Sequence, residues 1–273
     1  MRIATWNINS LRARMDRVLA FLDRHDVDVL ALQEIKAKPA QLDLAPFEAA
    51  GYETAAHGLN QWNGVELLSR VGLADVRTEL PGAPTWPEDE TGVVEARAIS
   101  AVVGGSDGGS QDGLRIWSLY VPNGRELDHP HYGYKLRWLD ALRAEGAREL
   151  TADPQARTVL VGDFNVAPRD EDVWDMEFFE GKTHVTAPER DAFEAVVGAG
   201  YADVVRPDHE GPGVYTYWDY QALRFPKKEG MRIDFVLGSP AVQSAVTGSF
   251  IDREERKGKG ASDHAPVVVD LEL

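Results

Sequence analysis

Residues 158–165 read TVLVGDFN, a short apolar run that stops on Asp163 and Asn165. Upstream, residues 27–34 read VDVLALQE, another run of the same kind, which stops on Glu34. Runs this short, continuous and rich in Val and Leu are strands buried on both faces, because a strand with one wet face alternates apolar and polar residues. Two doubly covered strands require helices, or helices and a second sheet, on either side. The chain is therefore expected to be of the α/β class.

Working outward, β-like runs fall at 2–8, 27–33, 64–69, 93–103, 114–121, 158–162, 232–237 and 266–271, each rich in Val, Ile, Leu or aromatics. Helical spacing is clearest over 14–25, where Met15, Val18, Leu19 and Leu22 share one face, and over 134–150, where Leu136, Leu139, Leu142 and Ala147 do so. Strand-like and helical stretches alternate without a Pro/Ser linker, so residues 1–273 read as one domain. The segment GGSDGGSQDG, residues 104–113, has a flexible loop's composition and is expected to form an exposed hairpin tip.

The charge is lopsided: 45 Asp and Glu face 29 Lys and Arg, for a formal net charge of -16. Such a chain does not hold polyanions by global attraction, which by itself argues against nucleic acid as a partner. With no cysteine, disulfides, thiolate metal sites and a cysteine nucleophile are excluded, leaving oxygen and imidazole ligands. No apolar run approaches the roughly 18 residues that span a bilayer, and MRIATWNINS lacks a signal-peptide core. A cytoplasmic protein with no membrane partner is the expectation.

Polar residues recur where strands begin or end. Asn7, Glu34, Tyr120, Asp163 and Asn165 close apolar runs; Asp234 lies inside one; Asp263 and His264 precede another. The ends of some strands and the starts of their antiparallel neighbours lie along one rim, so all eight can converge there. Singly, each has a structural reading: Glu34 as a cap, Asp163 and Asn165 as an Asx turn, His264 as a bonded loop histidine. Together, several carboxylates on one rim raise each other's pKa unless a cation sits among them. The cation suited to oxygen ligands is Mg²⁺ or Mn²⁺, which implies hydrolysis of phosphodiesters or phosphomonoesters. Asn60, Asn63 and Asn123 fit turn formation beside Gly.

At these positions the chain resembles a known family. WNINSLRAR (6–14), LALQEIK (30–36), WNGVELLSR (62–70), YVPNG (120–124), GDFNVAP (162–168), YTYWDY (215–220), GMRIDFVL (230–237) and SDHAPVVVDL (262–271) resemble, in order, the exonuclease III family of abasic-site DNA endonucleases. That family lies within the endonuclease/exonuclease/phosphatase superfamily. The resemblance implies a four-layer αββα sandwich of two mixed sheets flanked by helices. It implies one or two Mg²⁺ ions (Mn²⁺ as a substitute) among Asn7, Glu34, Asp163, Asn165, Asp263 and His264, with Glu34 the main carboxylate. Asp163 is similar to the residue that activates or orients the attacking water, with Asn165 placing it; His264 would contact the scissile phosphate, held by Asp234, and Tyr120 would donate its hydroxyl to a phosphate oxygen.

The same resemblance implies a sugar pocket at Tyr217, Trp218 and Met231, and phosphate contacts from Arg12, Arg125 and Lys135. Arg14, Arg224, Lys227, Lys228 and Arg232, in or beside the motif loops, extend these into a local basic strip. His129 and His131 are expected in a surface loop. The implied activity is incision 5′ to abasic sites in double-stranded DNA, with 3′ to 5′ exonuclease and 3′-phosphatase activity at blocked ends, by a monomer. The competing readings are another phosphoesterase of the superfamily, acting on inositol phosphate, sphingomyelin or RNA, and a catalytically dead nucleic-acid-binding regulator.

Overall fold

The computed structural model describes residues 1–105 and 113–273. Twelve strands form two mixed six-stranded sheets, as expected: β1 (Arg2–Asn7), β2 (Val29–Gln33), β3 (Glu53–His57), β4 (Val65–Ser69), β5 (Ala74–Arg77), β6 (Ala98–Val103), β7 (Leu114–Tyr120), β8 (Thr158–Asp163), β9 (Ala202–Asp203), β10 (Asp234–Gly238), β11 (Val246–Ile251) and β12 (Val267–Leu271). The first sheet runs β11-β12-β1-β2-β4-β3, the second β5-β6-β7-β8-β10-β9. In each, a central parallel pair, β1 with β2 and β7 with β8, is flanked by antiparallel neighbours. The glycine-rich segment expected over residues 104–113 lies for the most part outside the described residues; the strands it joins pair antiparallel, Val103 opposite Leu114.

Side chains alternate across the strands as the pleat requires. Ile3, Val29, Ile116 and Val161 fill the core between the sheets. Ala4, Trp6, Leu30 and Leu32 face outward onto Val18, Phe21 and Leu22 of the helix Met15–His25. Behind the second sheet, Trp117, Leu160 and Phe235 pack on the helices Pro130–Ala152 and Ala187–Gly198 through Trp138, Leu139, Leu142, Phe193 and Val196. No helix among the described residues is long and apolar enough to cross a membrane.

Several expectations need correction. The strand expected over 93–103 begins at Ala98; Val93 is exposed and makes only an isolated bridge to Trp86. The long helix starts at Pro130 rather than 134. Its buried face runs through Tyr134, Trp138 and Leu142, while Leu136 and Ala147 are only half-buried. Its first turn contains the histidines expected in a surface loop: the Nδ1 of His129 caps it by accepting from the N–H of His131, and His131 is buried, its Nδ1 accepting from the N–H of Gly124. Strands β3, β5, β9 and β11 were not anticipated.

All four parallel strands point at the same rim. Asn7, Gln33, Tyr120 and Asp163 are their last residues, and β10 starts there with Asp234. Just below, the amide of Gln33 donates to the hydroxyls of Thr5 and Ser118, both at 3.0 Å, joining the two sheets by a buried polar link.

Away from the rim, Glu66 on β4 is completely buried on the face of Leu68, with no hydrogen-bond partner for either carboxyl oxygen among the described residues. Burial pushes its carboxyl up to about 8. Between about pH 4.5 and pH 8 the unfolded chain therefore ionises at this residue while the folded chain stays protonated. Stability falls as pH rises through that window, by up to ~1.4 kcal/mol per pH unit. We predict that Glu66→Gln, compared with wild type by urea unfolding at pH 5, 6.5 and 8, gains relative stability at each step; a pH-independent difference contradicts the neutral carboxyl.

Candidate active site

The rim is organised around one amide. Asn7, completely buried at the end of β1, donates through Nδ2 to Glu34 Oε1 of the first sheet and to Asp163 Oδ2 of the second, each at 2.9 Å. Its Oδ1 accepts from the N–H of Asn9. Glu34 follows β2 in the left-handed region, φ 51°, and Lys36 two residues on has φ 53°. This backbone brings the Lys36 ammonium 2.8 Å from Glu34 Oε2 and 2.6 Å from Asn9 Oδ1. Asn9 in turn donates to Asp263 at 2.9 Å.

Asp163 and Asp234 lie opposite each other on β8 and β10. Asp234 accepts from His264 Nδ1 at 2.9 Å, fixing the ring so that Nε2 points at Asp163, 3.8 Å from Oδ2. Burial pushes the Asp163 carboxyl up, and the charges of Asp234 and Glu34 add to this against the opposing pull of His264. For His264, burial disfavours the charge, but the carboxylate and hydrogen bond of Asp234 outweigh it and the imidazole pKa rises. Glu34 goes the other way: burial would raise it, yet Lys36 and Asn7 hold it below the usual range. Tyr120, opposite Asp163 on β7, is raised by burial and by Glu34, so it remains a hydroxyl donor. The Arg97 guanidinium lies 4.7 Å from the centre of its ring.

The set fits a divalent cation. Glu34, Asp163 and His264 present ligand atoms within 4.8 Å of one another, and a cation there would relieve the repulsion that Asp234 and Glu34 add to the cost of burying Asp163. Asp263 stands at the margin, half-buried. Asn165, at φ 51°, holds Asp163: its N–H donates to Asp163 Oδ1 at 2.9 Å while its side-chain amide donates to the carbonyl of Val121. A cavity of about 150 Å³ opens over these groups, walled by Tyr217, whose ring lies 4.9 Å from that of His264, and by Met231.

Not every expected contact residue reaches this surface. Lys135, expected on DNA phosphate, is completely buried: it pairs with Glu189 and donates to the backbone carbonyls of Asn165 at 2.6 Å and Asn123 at 3.3 Å. Its ammonium holds the loop after β8 from beneath. Trp218, expected in the pocket, is buried with its ring edge-on to Phe225 and does not line the cavity. Arg232 is buried against Asp203 and so leaves the basic strip. Arg12 and Arg125 are exposed, as are Lys227 and Lys228.

His184, Lys36 and Asn9 belong to the site and were not foreseen. His184, at φ 82°, lines the cavity with Nε2 3.1 Å from Asn165 Oδ1 and 3.3 Å from Asn123 Nδ2. Burial, with Lys135 adding to it, lowers its pKa to about 3, so it is a neutral ring. The signal was available in Thr186 and Glu189, a capping box opening the helix Ala187–Gly198. Glu189 also accepts from the N–H of His184 and from Lys135.

The family described as the Endonuclease/Exonuclease/phosphatase family matches residues 4–264. The chain is 27% identical, over the full length of both, to the exodeoxyribonuclease of Bacillus subtilis (strain 168). Among solved structures it is similar, with a TM-score of 0.88 and 35% identity over 100% of both chains, to the 3′-5′ exonuclease NExo of Neisseria meningitidis; NExo, also described as a 3′ phosphatase, has been solved bound to a product DNA hairpin. It is also similar to an AP endonuclease from Archaeoglobus fulgidus, with a TM-score of 0.88 and 29% identity over 100% of both.

Lys135 supplies a direct check on this architecture. Removing one partner of a fully buried ion pair leaves the other charge uncompensated, at about 3–5 kcal/mol. Lys135→Met is expected to lower unfolding free energy by roughly that amount in urea titrations; a variant as stable as wild type contradicts the buried pairing.

Proposed function

The chain belongs to the endonuclease/exonuclease/phosphatase family, as a hydrolase of the exonuclease III type, and from that membership we propose that it is a Mg²⁺-dependent nuclease of damaged double-stranded DNA. It incises the phosphodiester 5′ to abasic sites, removes nucleotides from 3′ ends and releases 3′-phosphates. The observation that carries this reading is the buried rim on which one asparagine amide bridges Glu34 and Asp163 while Asp234 aims His264 at the same point. The identity of 35% with a 3′-5′ exonuclease that is also a 3′ phosphatase weights the activities towards 3′-end processing.

Hydrolysis requires water to attack phosphorus, the bond to the leaving oxygen to break, and a proton to reach that oxygen. Glu34, with Asp163 and Asp263, would hold a divalent cation, which would supply positive charge against the phosphate oxygens, and manganese could replace magnesium there. Asp163, held by Asn7 and the N–H of Asn165, orients the water and accepts its proton, which returns by way of solvent to the leaving oxygen once its bond to phosphorus has broken. His264 keeps its charge through Asp234 and donates from Nε2 to a nonbridging oxygen, where negative charge grows. Tyr120, kept protonated, donates from the other side. Asn165 acts mainly through Asp163, since its side-chain amide is engaged by Val121.

The test uses two duplexes, one with a single abasic site and one with a recessed 3′-phosphate, each incubated with Mg²⁺ and with EDTA. A nick at the abasic site and release of phosphate are expected with Mg²⁺ and neither with EDTA. Absence of Mg²⁺-dependent cleavage of both duplexes overturns the reading.

A further inference from the structure

The reaction cavity adjoins a longer trench: it shares His184, Tyr217 and Met231 with a lobe of about 450 Å³, and Tyr120 and Asn123 with a second lobe of about 460 Å³. Arg125 borders both lobes. The second lobe includes Asn60, Trp62, Trp86 and Arg97, none of which the catalytic account has used except Arg97 beneath Tyr120.

Trp62 is the unusual member, because it is 68% exposed on a loop that is firmly held. Its own N–H donates to Asn60 Oδ1 at 2.8 Å. The next residue, Asn63, is completely buried, donates to Glu95 at 3.1 Å, and its carbonyl accepts from the N–H of Lys36. Gly64, at φ 114°, donates to the carbonyl of Ala96 and accepts from the N–H of Ile35; a Cβ there would stand 2.5 Å from the Ile35 side chain. Backbone bonds thus tie the loop to the residues after Glu34 and before β6, while the indole is left in water. Single exposed apolar residues are ordinary on protein surfaces, but this one borders a trench that ends on Tyr120 and carries an exposed guanidinium at Arg125. A flat aromatic face beside a phosphate site, with a cation alongside, matches a nucleotide: the base has a π-face to stack and its phosphate pairs with the arginine.

We propose that this lobe is a nucleobase-stacking subsite, with Trp62 as its platform for a base next to the reacting phosphate and Arg125 as the contact to that nucleotide's own phosphate. The proposal rests on the nuclease reading and deepens it. Stacking gives hold on the strand that does not depend on net charge, which suits a protein of formal charge -16. It is also indifferent to sequence, because every base offers a π-face.

The experiment measures binding of the recessed 3′-phosphate duplex in EDTA, with 2-aminopurine beside the terminal phosphate, to wild type, Trp62→Ala and Trp62→Phe. Trp62→Ala is expected to weaken binding by roughly tenfold, the usual range for a lost stack being about 5- to 150-fold, and to lose the 2-aminopurine quenching seen with wild type. Trp62→Phe keeps most of both. Because stacking neutralises no phosphate, the slope of log Kd against log salt stays the same in all three proteins. Affinity and quenching in Trp62→Ala within twofold of wild type overturn the subsite, as does a weakened affinity accompanied by a shallower salt slope. Wild-type protein that neither binds nor, with Mg²⁺, cuts this duplex or the abasic one takes down the nuclease reading itself.

Discussion

Two carboxylates from different sheets cannot share a buried rim without something between them, and here the first thing between them is the amide of Asn7. Its two N–H groups reach Glu34 on one sheet and Asp163 on the other, so the separation of the sheets at this point is set by one planar group. Gln33, one residue before Glu34, repeats the device a layer lower by joining Thr5 to Ser118. These links place polar residues where an apolar core would otherwise continue. Hydrogen bonds offset the cost of burying them, and a cation would offset the remaining repulsion at the top.

The eight strands expected from the sequence are the eight interior strands of the two sheets; the four that were missed, β3, β5, β9 and β11, are the four edges. The reason is physical. An interior strand is covered on both faces and by neighbours on both sides, so it must be apolar throughout, as in VLALQ and TVLVGD. An edge strand such as ETAAH or ADVR is partly wet and carries no such run. The rim residues were visible for the complementary reason: Asn7 and Asp163 interrupt apolar runs at a fully buried position, which a sequence tolerates only where the polar group has work to do. Lys135 is not legible as a buried ion-pair member because its partner Glu189 lies 54 residues along the chain; His184 is placed by the same carboxylate, whose capping box with Thr186 opens the helix Ala187–Gly198.

On the nuclease reading, net charge is a poor guide to the partner. Many of the basic residues are spent on ion pairs away from the rim, among them Arg2 with Asp270, Arg17 with Glu255, Arg70 with Asp26 and Asp28, and Arg190 with Asp170. Arg12, Lys227 and Lys228 form no ion pair among the described residues, and the Arg125 guanidinium lies 3.1 Å from Nε2 of His129. The exposed guanidinium of Arg125, which lines the cavities beside the rim, is a local feature that the global sum of -16 hides.

The central claim is that Glu34 and Asp163, held apart by Asn7, share one divalent cation. Calorimetric titration of Mg²⁺ into wild type and Glu34→Gln, with folding checked by circular dichroism, tests it without reference to any substrate. Affinity is expected to fall by at least about tenfold in the variant, as even groups that only support metal ligands are worth 10–100-fold. Equal affinity in a folded Glu34→Gln protein would contradict the account.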